Sequence, residues 1–430
     1  MNRASAIRRI RGFQILDSRG NPTVEAEVEL QDGTVGRASV PSGASTGRLE
    51  AVELRDKDPK AFLGMGVQTA VGNVNDIIGP ALSGLDALDQ REIDRRMIEL
   101  DGTPQKSRLG ANAILSVSIA ACKAAAEHKG VPLFRYLAGG GGKCVLPVPM
   151  MNVINGGKHA GNSLQIQEFM IVPAGFRTYP DGLRAGVEIY HVLKTILSVK
   201  CGRSATNVGD EGGFAPPLGQ TSEALDVLVH AIEEAGYSTR SEIRLGLDCA
   251  ASSFLDEKAG TYVIDGKRLS GGQLVDYLQT IVQKYRLALV EDPLAEDDFD
   301  NFAEFTRRCS GIQVVGDDVF VTNKDRLQLG IDRGVANALL FKVNQIGSLT
   351  EAFETMEMAY RNKYKVIVSH RSGETEDSYI ADIAVGKASG QIKTGAPARG
   401  ERTAKYNRLL RIFYECGENA TYLGTELFRG

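Results

Sequence analysis

The sequence predicts an α/β protein in two parts. Residues 1–138 form an N-terminal α+β domain, an antiparallel meander plus helices, and residues 139–430 form a C-terminal β/α barrel. Three observations predict this. An early stretch alternates apolar and acidic residues with a period of two, the pattern of a half-buried strand. Two helical stretches follow it before residue 138. Six short apolar runs then alternate with helical stretches through most of the remaining chain, as repeated β-then-α units do.

Taken in order, Val24, Ala26, Val28 and Leu30 alternate with Glu25, Glu27 and Glu29. Ser18-Arg19-Gly20-Asn21-Pro22 and Asp32-Gly33 supply the turns of the meander. Pro41-Ser42-Gly43-Ala44-Ser45-Thr46-Gly47 is a loop of small residues. Asp89-Gln90-Arg91-Glu92 has the form of a capping box, with Ile93, Met97 and Leu100 on one face of the helix behind it. A second helix spans about Ala111–Lys129 and is stopped by Gly130 and Pro132. Gly139 to Gly142 read as a linker; Leu137 and the Cys144 that follows Lys143 break any nucleotide-binding G-x-x-x-x-G-K-[ST] pattern. The six runs end at Asp248, Glu291, Asp317, Lys342, His370 and Lys393. So many units in succession favour a closed barrel, and no G-x-G-x-x-G marks an open dinucleotide-binding sheet.

Composition removes several function classes. Hydrophobic residues make up 43% of 430, enough for a sizeable core, so a mainly disordered chain is excluded. The net charge of −4 argues against a protein whose main business is nucleic acid. The longest apolar stretch, Ala111 to Ala126, is broken by Asn112, Ser116, Ser118 and Lys123, so no membrane span is expected. Met1 to Gly12 carries arginines and no apolar segment, so no signal peptide is expected there. The six cysteines include no C-x-x-C and are expected to be reduced thiols in a cytoplasmic protein.

The chemistry lies at the run ends. In a β/α barrel the C-terminal strand ends form one face, where active sites sit. A lone Asp there is usually a helix cap and a lone Lys is usually solvated. Six ionisable groups brought together need mutual compensation, because an uncompensated buried charge costs several kcal/mol. Asp248, Glu291 and Asp317 are hard oxygen ligands suited to Mg²⁺. Lys342 faces them as a candidate base, and a neighbouring cation together with Lys393 should depress its pKa. His370-Arg371-Ser372 suits a phosphate or carboxylate. Upstream, His159 lies in a glycine-rich loop, Glu168 is polar among apolar strand residues, and Glu211 lies in a glycine-rich turn. Alone, Glu168 could face outward and Glu211 could be a solvated acid. His128, His191 and His230 fall on helices and are expected to be structural or surface residues.

These residues, together with several longer motifs, resemble the enolase family over nearly the whole chain. The motifs are Asp17-Ser18-Arg19-Gly20-Asn21-Pro22-Thr23-Val24-Glu25, Val40 to Gly47, Leu146-Pro147-Val148-Pro149-Met150 and Gly209-Asp210-Glu211-Gly212-Gly213. Lys342-Val343-Asn344-Gln345-Ile346-Gly347, Ser369 to Asp377 and Gln391-Ile392-Lys393-Thr394-Gly395 complete them. The resemblance implies a carbon–oxygen lyase of glycolysis that interconverts 2-phospho-D-glycerate and phosphoenolpyruvate with two Mg²⁺ per site. It also implies a barrel that opens ββαα. Asp248, Glu291 and Asp317 would hold one metal, and Ser45 would reach the second as its loop closes. Lys342 would take the C2 proton, Lys393 would face the resulting charge, and Glu211 supported by Glu168 would protonate the departing 3-hydroxyl. Arg371, His370 and Ser372 would hold the phosphate end, with His159 and Gln167 against the substrate.

The resemblance further implies a cytoplasmic homo-oligomer, dimer or octamer, with no direct nucleic-acid or membrane partner. Some relatives join RNA-degrading complexes or have surface roles. Because the chain ends in glycine, the C-terminal-lysine route to plasminogen is not expected. Two alternatives stay open. A racemase or acid-sugar dehydratase of the wider superfamily would commonly place a Lys-x-Lys before the first metal ligand, and Ser241 to Leu247 contain no lysine. An inactive binding relative should have lost Glu211, Lys342 or Lys393, and all three are present.

Overall fold

The computed structural model describes residues 3–43, 48–140 and 143–428. The N-terminal meander is a three-stranded antiparallel sheet of β1 (Ile7–Leu16), β2 (Pro22–Leu30) and β3 (Val35–Ser39). The alternation of β2 buries Val24, Ala26, Val28 and Leu30 completely. Against it lies the helix α2 (Ala111–His128), preceded by α1 (Gln90–Asp101). Gly36 lets the sheet approach this closely: a Cβ there would stand 2.2 Å from the Ala120 carbonyl oxygen. Rich in alanine and serine, α2 is buried on nearly every side, as a helix between two layers must be. At the start of α1 only half of the expected capping box forms. Asp89 accepts from the Glu92 N–H, while the Glu92 carboxylate turns to Arg95.

The barrel strands are β4 (Val148–Asn155), β5 (Glu168–Val172), β6 (Arg244–Asp248), β7 (Leu289–Glu291), β8 (Gln313–Gly316), β9 (Ala338–Phe341), β10 (Lys365–Ser369) and β11 (Gln391–Lys393). They close in the order β7-β8-β9-β10-β11-β4-β5-β6. The helices α3 (Tyr179–Cys201) and α4 (Thr221–Glu234) both fall between β5 and β6, giving the ββαα opening. One longer helix then separates each successive pair of strands: α5 (Gly271–Tyr285), α6 (Phe299–Arg308), α7 (Lys324–Arg333), α8 (Leu349–Arg361) and α9 (Tyr379–Gly386), with α10 (Gly400–Cys416) after β11. Strand β5 runs antiparallel to both neighbours. Its first residue, Glu168, therefore lies at the same end of the barrel as the last residues of the parallel strands, paired with Asp248 in register.

Inside the barrel an apolar plug of Val148, Met150, Met170, Val172, Leu289, Val315, Ala338, Leu340 and Ile367 is closed from below by Leu427. The period of two then sets the site. One inward position further toward the mouth, Met170 gives way to Glu168, Leu289 to Glu291, Val315 to Asp317 and Leu340 to Lys342. At the opposite end Cys144 and Cys416, expected as separate thiols, form a disulfide. Their sequence separation of 272 conceals a proximity that barrel closure creates. Cys122, Cys201, Cys249 and Cys309 are free thiols. Among the described residues no helix is long and apolar enough to cross a membrane.

Candidate active site

The charged strand ends line a cavity of about 370 Å³ at the barrel mouth. At its floor, Lys393 Nζ lies 3.0 Å from Asp248 Oδ2, 2.8 Å from Glu291 Oε2 and 3.1 Å from Glu168 Oε2. Burial opposes the Lys393 ammonium, yet Asp248, Glu168 and Glu291 outweigh it and hold its pKa well above the usual lysine value. Burial raises the Glu291 carboxyl well above the carboxylate range, and Asp248 adds to the effect. Glu168 is raised in the same way by burial and then by Glu211.

Across the floor Lys342 Nζ is bonded to Asp317 Oδ2, and Gln345 Nε2 donates to Asp317 Oδ1 at 2.8 Å. Burial opposes both charges of this pair. Each nevertheless favours the other, so the Asp317 pKa is lowered and that of Lys342 is raised. Asp317 is thus the counter-ion of Lys342 in this arrangement.

On one wall, Glu211 Oε2 accepts from Asn152 Nδ2 at 3.0 Å and lies 3.4 Å from His370 Nε2. Burial pushes His370 down to about 4, so its imidazole is neutral near pH 7. Glu211 and Glu168 are 3% and 1% exposed, which removes the solvated and outward-facing alternatives for both. Gln167 Nε2 donates to Asp248 Oδ2 at 3.3 Å.

The loop that carries His370 also joins the two halves of the chain. Arg371 Nη1 and Nη2 reach Glu50 Oε2 and Oε1 at 2.8 and 3.2 Å, and Nη1 also donates to Asn344 Oδ1 at 3.0 Å. Ser42 and Gly373 exchange backbone hydrogen bonds of 2.7 and 2.9 Å, and the Ser18 N–H donates to the Glu374 carbonyl at 2.7 Å. The N-terminal sheet therefore holds the loop that carries His370, Arg371 and Ser372.

Two buried polar atoms without a hydrogen-bond partner lie at this mouth, Gln167 Oε1 and Asn152 Oδ1. Buried polar groups are ordinarily satisfied, so such a group marks a place for a polar ligand. The donor chemistry also suits a hard divalent cation. Asp248, Glu291 and Asp317 present oxygen ligands that ammonium groups now neutralise. Asp292, Asp317 and Asp318 bring ligand oxygens within 4.8 Å of one another, as Glu168, Glu211 and His370 bring ligand atoms. Asp292 is already committed, accepting from the Asp317 and Asp318 N–H groups at 2.9 and 2.8 Å. Burial, with Asp317 alongside, pushes Asp318 up to about 7.

The structure thus brings together Gln167, Glu168, Glu211, Asp248, Glu291, Asp317, Lys342, His370, Arg371, Ser372 and Lys393. Ser45 lies outside the described residues. His159 falls in a single turn, Gly157–His159, and its side chain is likewise not described. Sequence reasoning missed Glu50, Asn152, Asp292 and Arg402. Asn344 and Gln345 were within reach, since both fall in the motif that carries Lys342. Of the helical histidines, His128 pairs with Asp32, and His191 and His230 are exposed.

A family model described as "Enolase, N-terminal domain" matches residues 7–137, and one described as "Enolase, C-terminal TIM barrel domain" matches residues 143–430. The enolase of Methanopyrus kandleri is 60% identical over 404 residues, 94% of each chain. That of Methanosarcina barkeri is 58% identical over 417 residues, 97% of this chain and 96% of its own. That of Methanocaldococcus jannaschii is 57% identical over 417 residues, 97% of each chain.

Proposed function

This chain belongs to the enolase family, its reaction is accordingly the dehydration of 2-phosphoglycerate to phosphoenolpyruvate, and we propose that the residues at the barrel mouth divide that reaction between two walls. The observation that supports this division is the separate setting of the two groups, Lys342 held by Asp317 and Glu211 held by Asn152 and His370, with Lys393 held among Asp248, Glu291 and Glu168.

The C2 proton lies beside a carboxylate and is very weakly acidic, so the charge left by its removal must meet preorganised positive charge. Lys342 is the base that receives it, and Lys393 faces the charge that develops. Two Mg²⁺ would complete the site, one held by Asp248, Glu291 and Asp317 and the other approached by Ser45. Bound there, the ions would supply positive charge toward the substrate carboxylate and compensate Asp317 in place of Lys342. Glu211 delivers a proton to the departing 3-hydroxyl, and Glu168, whose pKa is raised by burial and by Glu211, supports it. Arg371, its guanidinium held by Glu50 and Asn344, directs its fixed positive charge to the phosphate, with Ser372 beside it. Gln167 orients the carboxylate end, and His159 closes over the substrate with the Ser45 loop, excluding water.

A cytoplasmic setting and dimeric or octameric assembly go with the same reading, and light scattering decides the assembly. The direct test follows the ultraviolet absorbance of phosphoenolpyruvate as it forms from 2-phosphoglycerate. The expected trace rises with Mg²⁺, stops on EDTA and resumes when Mg²⁺ is restored. A rate indifferent to EDTA would overturn the metal assignment.

A further inference from the structure

Arg402 is not among the residues assigned above, yet it is completely buried and among the largest side chains to be so. Its position on α10 brings it under the two loops that carry Glu211 and His370. Nη1 lies 2.6 Å from His370 Nδ1 and 2.6 Å from the Arg371 carbonyl oxygen. Nη2 donates to the Ser372 carbonyl at 2.6 Å and to the Asp210 carbonyl at 3.0 Å. The four Nη hydrogens therefore have four acceptors.

One of these acceptors carries chemical information. A guanidinium has donors and no lone pair to offer, so His370 Nδ1 must be the acceptor. In a neutral imidazole the proton then resides on Nε2. That nitrogen belongs to a residue only 2% exposed and lies 3.4 Å from Glu211 Oε2 at the cavity. Gly395 makes the packing possible. A Cβ there would stand 2.6 Å from the Glu211 carbonyl oxygen, 3.0 Å from Arg402 Cδ and 3.2 Å from His370 Cε1.

We propose that Arg402 is a positioning residue for the second half of the reaction. It locks His370 in the Nε2–H form, so that a donor rather than a lone pair faces Glu211 and the departing hydroxyl, and it ties the Asp210–Glu211 turn to the His370–Ser372 loop. The proposal rests on the division of labour given above. It predicts that Arg402 matters to loss of the hydroxyl and little to removal of the C2 proton by Lys342.

Histidine side-chain nitrogen NMR on the full wild-type chain is the first test, with His370→Gln identifying the His370 signals. The Nε2–H tautomer is expected from pH 6 to pH 8, and an Nδ1–H tautomer would overturn the proposal. Arg402→Met removes the donors, and Arg402→Lys restores one to Nδ1. In a folded Met variant the tautomer should change and dehydration should fall on the order of 100-fold, as loss of a positioned proton-transfer group does. Exchange of the C2 proton with solvent should stay within a few-fold of wild type, and the Lys variant should recover part of the loss. Equal falls in exchange and dehydration would overturn the proposal, as would unchanged dehydration. If Arg402→Met does not fold, the wild-type tautomer and the Lys variant decide. Wild-type protein that neither exchanges nor dehydrates 2-phosphoglycerate, yet shows the Nε2–H tautomer, would refute the division of labour and uphold what Arg402 does to His370.

Discussion

Replacing both Cys144 and Cys416 by serine should destabilise the barrel by several kcal/mol and leave its chemistry intact. The bridge joins residues 272 apart, so its loop contains almost the whole barrel domain. In the chain-entropy treatment, a loop of this length removes about 19 cal/mol/K from the unfolded chain, or ~5.6 kcal/mol at 25 °C. Bridges usually deliver about 2–4 kcal/mol, so the expected loss lies between about 2 and 5.6 kcal/mol. The short ladder between Cys144–Leu146 and Ala420–Tyr422 remains in the variant, and so does the Leu427 plug, so the native state should keep its form. The assay is urea unfolding of oxidised wild type, reduced wild type and the double variant, followed by far-ultraviolet circular dichroism. Reduced wild type and variant should unfold together, at a lower midpoint than oxidised wild type and with a slope at least as steep, since the unbridged chain exposes more surface on unfolding. Coincident midpoints for all three would refute the reasoning. Because the bridge lies at the end of the barrel away from the carboxylates, turnover of the folded variant should match wild type.

Other expectations concern the mouth. The His370 pKa is lowered from 6.5 to about 4 by burial, so the unfolded chain binds the extra proton between those values. Stability from this group is complete above pH 6.5 and lost as pH falls toward 4. A shift of this size is worth about 3 kcal/mol. His370→Gln should flatten that part of the stability–pH curve, and an unchanged slope would contradict the burial argument. Arg371→Lys gives up the planar pair of donors. It should raise the KM for 2-phosphoglycerate by about 10- to 100-fold, the equivalent of roughly 1.4–2.7 kcal/mol for a lost charge-assisted contact. An unchanged KM would remove Arg371 from the phosphate site.

The strand ends were legible because alternation and burial are local properties. Once Leu340 faces inward, Lys342 must do so too, and the six apolar runs predict six strands within about two residues at each end. The position of Glu168 was less legible. Its place beside Asp248 depends on β5 running antiparallel, which no residue within the strand announces. Glu50 and the Cys144–Cys416 bridge were hidden because their partners lie hundreds of residues away, and Arg402 because its partners sit on two separate loops, 30 to 32 and 192 residues back along the chain.

The central claim is that C2 deprotonation and hydroxyl loss belong to different walls of one cavity. Solvent exchange of the C2 proton of 2-phosphoglycerate in deuterium oxide, measured by NMR beside dehydration, tests it most directly. Lys342→Ala should abolish both, since removal of a general base costs about 10²–10⁴-fold. Glu211→Gln should stop dehydration and leave exchange measurable. Exchange that persists in Lys342→Ala, or equal loss of both activities in Glu211→Gln, would contradict the account.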